Sequence, residues 1–110
     1  MTHINTSLSA FRETHGFTQK EVAFLLGEET TNSMVSRHET GTRLPTLNMA
    51  FGYAFILGAK LPELYSELEK CEREEIARRA LKLYEMIQRE PESSAREMKL
   101  RALLKIVEPH

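Results

Sequence analysis

The sequence contains no aspartate and no tryptophan, and Cys71 is the single cysteine among its 110 residues. One cysteine cannot form an internal disulfide or a thiolate metal site, which is typical of proteins in a reducing compartment. Because all 16 acidic residues are glutamates, catalytic and metal-binding arrangements that require aspartate are excluded. The histidines at 3, 15 and 110 share no metal-ligand spacing, so we expect no metal site and no cofactor.

Long hydrophobic runs are missing as well. No apolar stretch approaches the length of a membrane span, and the first part of the chain lacks a basic segment followed by an apolar one. We therefore expect a soluble, cytoplasmic protein without a membrane partner. The hydrophobic fraction of 41% is too high for a disordered chain, and the length suits one small domain with a helical appendage.

Positive and negative charges are nearly balanced: the chain has 15 Lys and Arg and 16 Glu, which gives a net charge of -1. Residues 1–65 carry 5 basic and 6 acidic side chains, and residues 66–110 carry 10 of each. This balance predicts weak non-specific binding to a polyanion, so any nucleic-acid specificity must come from individual side chains. No nucleophile–base pair, phosphate-binding glycine loop or metal cluster indicates an enzyme, and we expect none.

Helical periodicity is what the sequence does contain. Apolar residues recur at helical spacing, and no alternating β-branched run predicts a strand, so we predict an all-α fold. Helices are expected over 6–14, 19–26, 32–39 and 47–57, then from Pro62 towards Pro91, and from Ser94 onward. Glycines at 16, 27, 41 and 58 favour the ends of the first four helices. Thr18–Glu21 and Ser94–Glu97 have the spacing of capping boxes.

Several bulky side chains of the predicted third and fourth helices are interpreted as packing residues. Phe51, Tyr53 and Phe55 are expected to pack rather than to stack on bases. His38 is expected to be a partly buried packing residue rather than a pH switch or a ligand.

Beyond residue 65 the sequence is charged and contains no glycine. Glu–Arg pairs at i, i+4 stabilise a helix when the acid precedes the base. The sequence contains six such pairs: 69–73, 74–78, 75–79, 85–89, 92–96 and 97–101. Apolar stripes at 61–68 and 76–87 are covered either by the last helix folding back or by a second chain. The stripes exceed what one short helix covers, so we favour a homodimer formed through the C-terminal helices.

The segment from Gln19 to Glu39 has the spacing of two helices that meet across a turn. Ala23 is a small residue in the middle of the first helix, Gly27 ends that helix, and Val35 points inward from the second. This pattern is typical of a helix-turn-helix, whose second helix can enter the major groove of DNA.

With these motifs the sequence resembles the phage repressor and Cro-type helix-turn-helix family, also called the XRE family, over about residues 8–65. The resemblance is carried by 17–23 (FTQKEVA), 26–27 (LG), 35–41 (VSRHETG) and 43–47 (RLPTL). It implies a five-helix repressor-like DNA-binding domain at 1–65, followed by a C-terminal helical extension at 66–110 that serves dimerisation. The implied partner is double-stranded operator DNA, bound by a symmetric dimer.

The resemblance also implies roles for individual side chains. Asn32, Ser33 and Arg37 match positions that face base edges, where Asn can pair with adenine and Arg with guanine. Arg12 and Glu39 match a structural ion pair between the first and third helices. The other DNA-binding candidates match positions at helix N-termini or near phosphates: Gln19, Thr31, Ser36, Thr40, Thr42 and Arg43.

The leading hypothesis is a sequence-specific transcriptional regulator, a repressor, that acts as a homodimer on a near-palindromic operator. The alternative is a protein-interaction module, such as an antitoxin or an adaptor, that uses the helix-turn-helix fold for another purpose. The near-neutral charge favours this alternative. Glu28 and Glu29 favour it too, because they lengthen the turn relative to the family and place acidic groups where phosphate would approach.

Overall fold

The computed structural model describes residues 3–108, in which seven α-helices and no strand are present. They are α1 (Leu8–Thr14), α2 (Gln19–Leu26), α3 (Asn32–Thr40), α4 (Leu47–Leu57), α5 (Leu61–Leu64), α6 (Ser66–Gln88) and α7 (Ser94–Val107). The predicted all-α fold, with a helical C-terminal region, is confirmed. Of these seven helices, none is both long and apolar enough to cross a membrane. His110 lies outside the described residues.

Two compact units divide the described chain, with the boundary between Glu69 and Lys70. The N-terminal unit contains α1 to α5 and the first turn of α6, because Leu68 packs against the same core as the preceding helices. The C-terminal unit contains the rest of α6 and α7. Each unit has an apolar core of its own.

Each of α1 to α5 contributes buried side chains to the core of the N-terminal unit. These side chains are Leu8 of α1, Val22 and Ala23 of α2, Val35 of α3, Tyr53 and Leu57 of α4, and Leu64 of α5. The first helix begins at Leu8 and not at Thr6 as predicted. The Thr6 hydroxyl accepts a hydrogen bond from the Leu8 N–H at 3.2 Å, which holds Thr6 outside the helix.

Threonine side chains begin α2, α3 and α4. Thr18 and Glu21 form the predicted capping box: the Thr18 hydroxyl accepts from the Glu21 N–H at 3.1 Å, and the Glu21 carboxylate accepts from the Thr18 N–H at 2.8 Å. The bond from the Thr18 backbone lowers the pKa of Glu21 below its ordinary value. Thr31 and Thr46 cap α3 and α4 by accepting a backbone N–H three residues on.

Gly41 ends α3 and brings the N-terminal segment against it. Its φ of 78° lies in the left-handed region that favours glycine. The Ile4 N–H donates to the Gly41 carbonyl at 3.0 Å, and a Cβ at position 41 would lie only 1.8 Å from the Ile4 carbonyl oxygen. A side chain at this position would therefore push the N-terminal segment away from α3.

Two predicted helix boundaries after α4 are wrong. The helix expected to run on from Pro62 is interrupted at Tyr65, which has φ -133° and ψ 50° and turns its side chain into the core. The last helix is capped by Ser93 and not by Ser94, because the Ser93 hydroxyl accepts from the Arg96 N–H at 3.1 Å. This cap places Arg96 where its guanidinium also donates to the Gln88 carbonyl at 3.1 Å.

The predicted packing roles of Phe51 and Phe55 are also wrong. The buried positions of α4 are Ala50, Tyr53 and Leu57, which recur at helical spacing along one side of the helix. Phe51 and Phe55 lie off that side and are 62% and 90% exposed. Of the three aromatic residues, Tyr53 alone is buried, with 1% of its surface exposed.

In the C-terminal unit, α7 folds back on α6. Ala80 and Ile87 of α6 are buried against Leu100 and Leu103 of α7, so the chain itself covers part of the second predicted stripe. Ile76, in the same stripe, remains 47% exposed. The first stripe belongs to the N-terminal unit, since its members pack in that core.

Among residues 3–108, four of the six predicted Glu–Arg pairs do not form an ion pair: 74–78, 85–89, 92–96 and 97–101. Glu75 pairs with Arg79 at 3.6 Å as predicted, but Arg78 also contacts Glu75, at 2.8 Å, and not Glu74. The hydrogen bond from Arg78 lowers the pKa of Glu75. Arg96 contacts Glu97 at 2.8 Å and not Glu92, because its other amino group is held by the Gln88 carbonyl.

Candidate nucleic-acid interface

The helix pair α2–α3 packs closely around a small side chain. Ala23, in the middle of α2, and Val35, in α3, are both buried in the N-terminal core. Between the helices, the Thr30 N–H donates to the Gly27 carbonyl at 3.0 Å and tightens the turn. Thr31 then caps α3, so the first residues of α3 project from the end of this turn.

One side of α3 is exposed and polar, and the other is buried. Val35 and His38 point into the core, with 0% and 1% of their surfaces exposed. On the outward side lie Asn32, Ser33 and Arg37, which are all exposed. Ser36 is half-buried beside them. The structure therefore brings the three predicted base-reading side chains to one face of one helix.

A buried carboxylate fixes α3 relative to α1 and α2. Glu39 Oε2 accepts from Arg12 Nε at 2.6 Å, and Glu39 Oε1 accepts from Arg12 Nη2 at 3.1 Å. Gln19 Nε2 donates to the same Oε1 at 2.9 Å, and Arg12 Nη1 donates to the Phe17 carbonyl at 2.8 Å. The hydrogen bond to Glu39 raises the pKa of Arg12 above its ordinary value. The guanidinium and the carboxylate thus satisfy each other in bidentate geometry.

The side-chain amide of Gln19 therefore points into the domain, towards Glu39. Gln19 is the first residue of α2, and its side chain links that helix to the end of α3. Its donor group is therefore engaged by Glu39, and Gln19 acts on α3 by holding it in place.

His38 is fixed by a second buried contact, which joins α3 to α4. Its Nδ1 lies 2.8 Å from the Tyr53 hydroxyl, and the two rings meet edge to face. Burial lowers the pKa of His38, and the charge of Arg43 lowers it further. Burial raises the pKa of Tyr53 well above its ordinary value and that of Tyr65 to about 12. The imidazole and both phenols are therefore neutral near pH 7.

The segment after α3 folds onto a single carbonyl group. The Arg37 carbonyl accepts from the Thr42 N–H at 3.1 Å and from the Arg43 N–H at 3.3 Å. It also accepts from the Thr40 and Thr42 hydroxyls, at 3.2 and 3.3 Å. Both predicted phosphate-contacting hydroxyls are therefore engaged within the loop, which leaves the exposed Arg43 side chain as the donor that can reach outward.

The charges around α3 differ from what the composition suggests. Glu39 is paired with Arg12 and its side chain is 6% exposed, so its charge does not lie on the outward side of α3. Among residues 3–108, no carboxylate forms an ion pair with the guanidinium of Arg37 or Arg43. Glu28 and Glu29 are exposed in the turn that precedes α3. The outward side of α3 and the loop after it therefore carry the positive charges of Arg37 and Arg43, and the turn before α3 carries the negative charges of Glu28 and Glu29.

Sequence reasoning missed the contact between His38 and Tyr53. The spacing of His38 from Val35 indicates that both point inward, but the hydroxyl that satisfies the imidazole lies on another helix. Apolar periodicity within one helix predicts which side chains are buried, but it does not identify the residue of another helix that each of them contacts.

The two helices α2 and α3 cross at a buried alanine, and α3 exposes one polar face; this arrangement is a helix-turn-helix. The helix-turn-helix family model of the XRE type matches residues 8–64, and the chain belongs to this family. It is a DNA-binding transcriptional regulator of that type. Searches of curated proteins and of solved structures gave no match. The family match ends before α6, so it does not include the C-terminal unit.

Proposed function

We propose that this regulator is a cytoplasmic repressor that binds a near-palindromic operator as a homodimer. The observation that carries this proposal is the outward face of α3, where Asn32, Ser33 and Arg37 stand together and exposed while Val35 and His38 anchor the helix behind them. A helix supported in this way can lie in the major groove with its N-terminal residues on the bases.

Each side chain of this face has a distinct role in the proposal. Asn32 pairs with an adenine, Arg37 pairs with a guanine, and Ser33 contacts either kind of base. Ser36 and Arg43 contact phosphates, and the N-terminus of α3 at Thr31 directs its backbone N–H groups towards the same strand. Thr40 and Thr42 shape the loop that presents Arg43.

The proposed dimer contact lies in the C-terminal unit. Its hairpin leaves several large apolar side chains at least 40% exposed after α7 has folded back: Ile76, Leu81, Leu83, Met86, Met98, Leu104 and Ile106. A second hairpin can cover them. Two recognition helices held by such a dimer would read half-sites about 34 Å apart or a multiple of that distance.

The direct test is selection of bound duplexes from a random pool by the full chain, at about 50 mM and about 200 mM salt. We expect enrichment of a near-palindromic site and a shallow salt dependence, because few cations face the DNA. A pool without any enriched sequence at either salt concentration would contradict sequence-specific recognition.

Exposure of Glu28 and Glu29 beside α3 favours the second candidate, a protein-interaction module such as an antitoxin or an adaptor. Acidic groups at this position repel phosphate and attract a basic protein surface. If the second candidate is correct, the random pool gives no enrichment, and a stoichiometric protein partner is released by Glu28→Gln/Glu29→Gln.

A further inference from the structure

Contacts from three different helices hold α3 in the N-terminal unit. Its buried side packs on α2, and the Glu39 carboxylate ties it to α1 and α2 by accepting hydrogen bonds from both. The contact between His38 and Tyr53 ties it to α4. Among residues 3–108, this contact is the one hydrogen bond that joins α3 to α4. The position of α3 relative to α4 therefore depends on this pair.

The contact between His38 and Tyr53 is both buried and directional. The two side chains are almost fully buried, and His38 Nδ1 lies 2.8 Å from Tyr53 Oη. The ring centroids are 5.6 Å apart, and the ring planes meet at 85°. A hydrogen bond weakens steeply when its angle changes, whereas an apolar contact has no preferred direction. Since neither group can bond to water instead, the pair favours one orientation of the imidazole relative to α4.

His38 lies in α3 where its placement affects the side chains on the outward side. Arg37 directly precedes it and is exposed, whereas His38 is buried. The Arg37 carbonyl also holds the loop that presents Arg43, by accepting from two N–H groups and two hydroxyls. Because the backbone of one helical turn moves as a unit, a displacement of His38 displaces Arg37 by a similar distance.

Base recognition by Arg37 depends on position more strongly than a phosphate contact does. To pair with a guanine, the guanidinium brings two N–H groups to O6 and N7 of one base. Such an arrangement must be held within about 0.5 Å and about 10–20°. A phosphate contact depends mainly on charge and carries no information about sequence. A change in the tilt of α3 therefore weakens specific binding more than non-specific binding.

We infer that Tyr53 is a positioning residue for base recognition: through His38, its hydroxyl sets the tilt of α3 and with it the reach of Arg37. Tyr53 is buried, so it acts only through α3. The inference rests on the proposed function, because it requires that Arg37 reads a base. The tilt of α3 is a property of the chain without DNA and can be measured separately.

The test compares two buried tyrosines of the same core. Tyr53→Phe removes the hydroxyl that contacts His38 and keeps the ring. Tyr65→Phe is the matched control, because the Tyr65 hydroxyl is also buried but has no hydrogen-bond partner within residues 3–108. The Kd of each full-length variant is measured on the operator selected from the random pool and on a scrambled duplex. The ratio of the second Kd to the first measures discrimination.

We expect Tyr53→Phe to lower this discrimination ratio at least about fivefold, which corresponds to the loss of one hydrogen bond. Binding to the scrambled duplex should stay within about twofold of wild type, because the phosphate contacts tolerate the change in tilt. Tyr65→Phe should leave the discrimination ratio unchanged, since it removes no contact to α3.

A double variant separates the tilt of α3 from the stability of the domain. Tyr53→Phe alone also destabilises the fold, because it leaves the imidazole buried without a partner. His38→Leu/Tyr53→Phe removes both polar groups, so the denaturation midpoint should return close to that of wild type. Discrimination should remain low, because the apolar pair has no directional bond. If Tyr53→Phe alone does not fold, the double variant replaces it in the comparison with Tyr65→Phe.

Residual dipolar couplings of the backbone N–H groups measure the tilt of α3 relative to α2 without DNA. We expect a reorientation of more than about 10° in Tyr53→Phe, or in the double variant, and none in Tyr65→Phe.

Three results would overturn the inference: an unchanged discrimination ratio in Tyr53→Phe, an unchanged tilt of α3, or recovery of discrimination together with stability in the double variant. A random pool without an enriched operator would instead contradict the proposed function. The dipolar couplings would then still decide whether Tyr53 sets the tilt of α3.

Discussion

Glu39 links α3 to both α1 and α2 through one side chain. Its two oxygens accept from Arg12 and Gln19, and 6% of its side chain is exposed. A buried carboxylate with this many donors contributes by holding three helices in one geometry. The resemblance of the sequence to its family predicts the pairing with Arg12, but the bond from Gln19 depends on the packed structure.

Replacement of Glu39 tests this network. Glu39→Ala leaves the Arg12 guanidinium without its bidentate partner, so we expect a loss of about 3–5 kcal/mol in the free energy of unfolding. Glu13→Ala is the matched control, since Glu13 lies 3.8 Å from the same guanidinium but 71% of its side chain is exposed; we expect a loss of at most about 1 kcal/mol. Chemical denaturation measures both values. Similar losses for the two variants would contradict a structural role specific to Glu39.

His38 predicts how stability changes with pH. Because burial and Arg43 lower its pKa in the folded state, the unfolded chain binds a proton more readily. Stability is then fully present above the unfolded pKa of about 6.5, and it is lost as the pH falls from there towards the lowered pKa of the folded state. We expect the free energy of unfolding to decrease as the pH falls below about 6.5.

Two variants separate His38 from the other titrating groups. His38→Gln keeps an acceptor for the Tyr53 hydroxyl without a titrating ring, so it should flatten the pH dependence in this window. His15→Gln changes an exposed histidine and should retain the wild-type slope. A wild-type slope in His38→Gln would show that the dependence arises elsewhere.

At the scale of single elements, the starts of α2, α3 and α4 could be predicted from the sequence. Thr18, Thr31 and Thr46 each begin a helix as predicted, because a cap requires only residues that are close in the sequence. The interruption at Tyr65 was not predictable, because it depends on the burial of one ring in a core built by distant helices. The exposed phenylalanines of α4 were misassigned because their size suggested burial, and helical spacing alone did not identify which side of α4 faces the core.

The N-terminus of α7 gives a prediction at this scale. Ser93→Ala removes the hydroxyl that accepts the Arg96 N–H, and we expect it to cost about 1 kcal/mol of stability. Ser94→Ala lies inside the helix, where alanine is the better helix former, so it should be neutral or slightly stabilising. Thermal denaturation of the two variants compares them directly. If Ser94→Ala lost more stability than Ser93→Ala, Ser94 would be the cap of α7, as the sequence predicts.

For the whole molecule, the structure explains how a chain with a net charge of -1 can be a DNA-binding protein. Five of the nine DNA-binding candidates are neutral hydroxyl side chains, and Glu39 is paired with Arg12 inside the domain. The sequence was sufficient to predict the helix-turn-helix and the exposed face of α3, since both follow from local spacing. The fold-back of α7, which the sequence left as one of two alternatives, and the exposure of Phe51 and Phe55 follow from packing between distant segments, so local spacing could not decide them.

The measurement that tests the central claim most directly compares Arg37→Ala with Arg43→Ala on the selected operator and on a scrambled duplex. If Arg37 reads a base edge, Arg37→Ala should weaken operator binding by about 1–3 kcal/mol and change scrambled-duplex binding little. Arg43→Ala, as a phosphate contact, should weaken binding to both duplexes by similar amounts. Equal losses on the two duplexes for Arg37→Ala would contradict base reading by the outward face of α3.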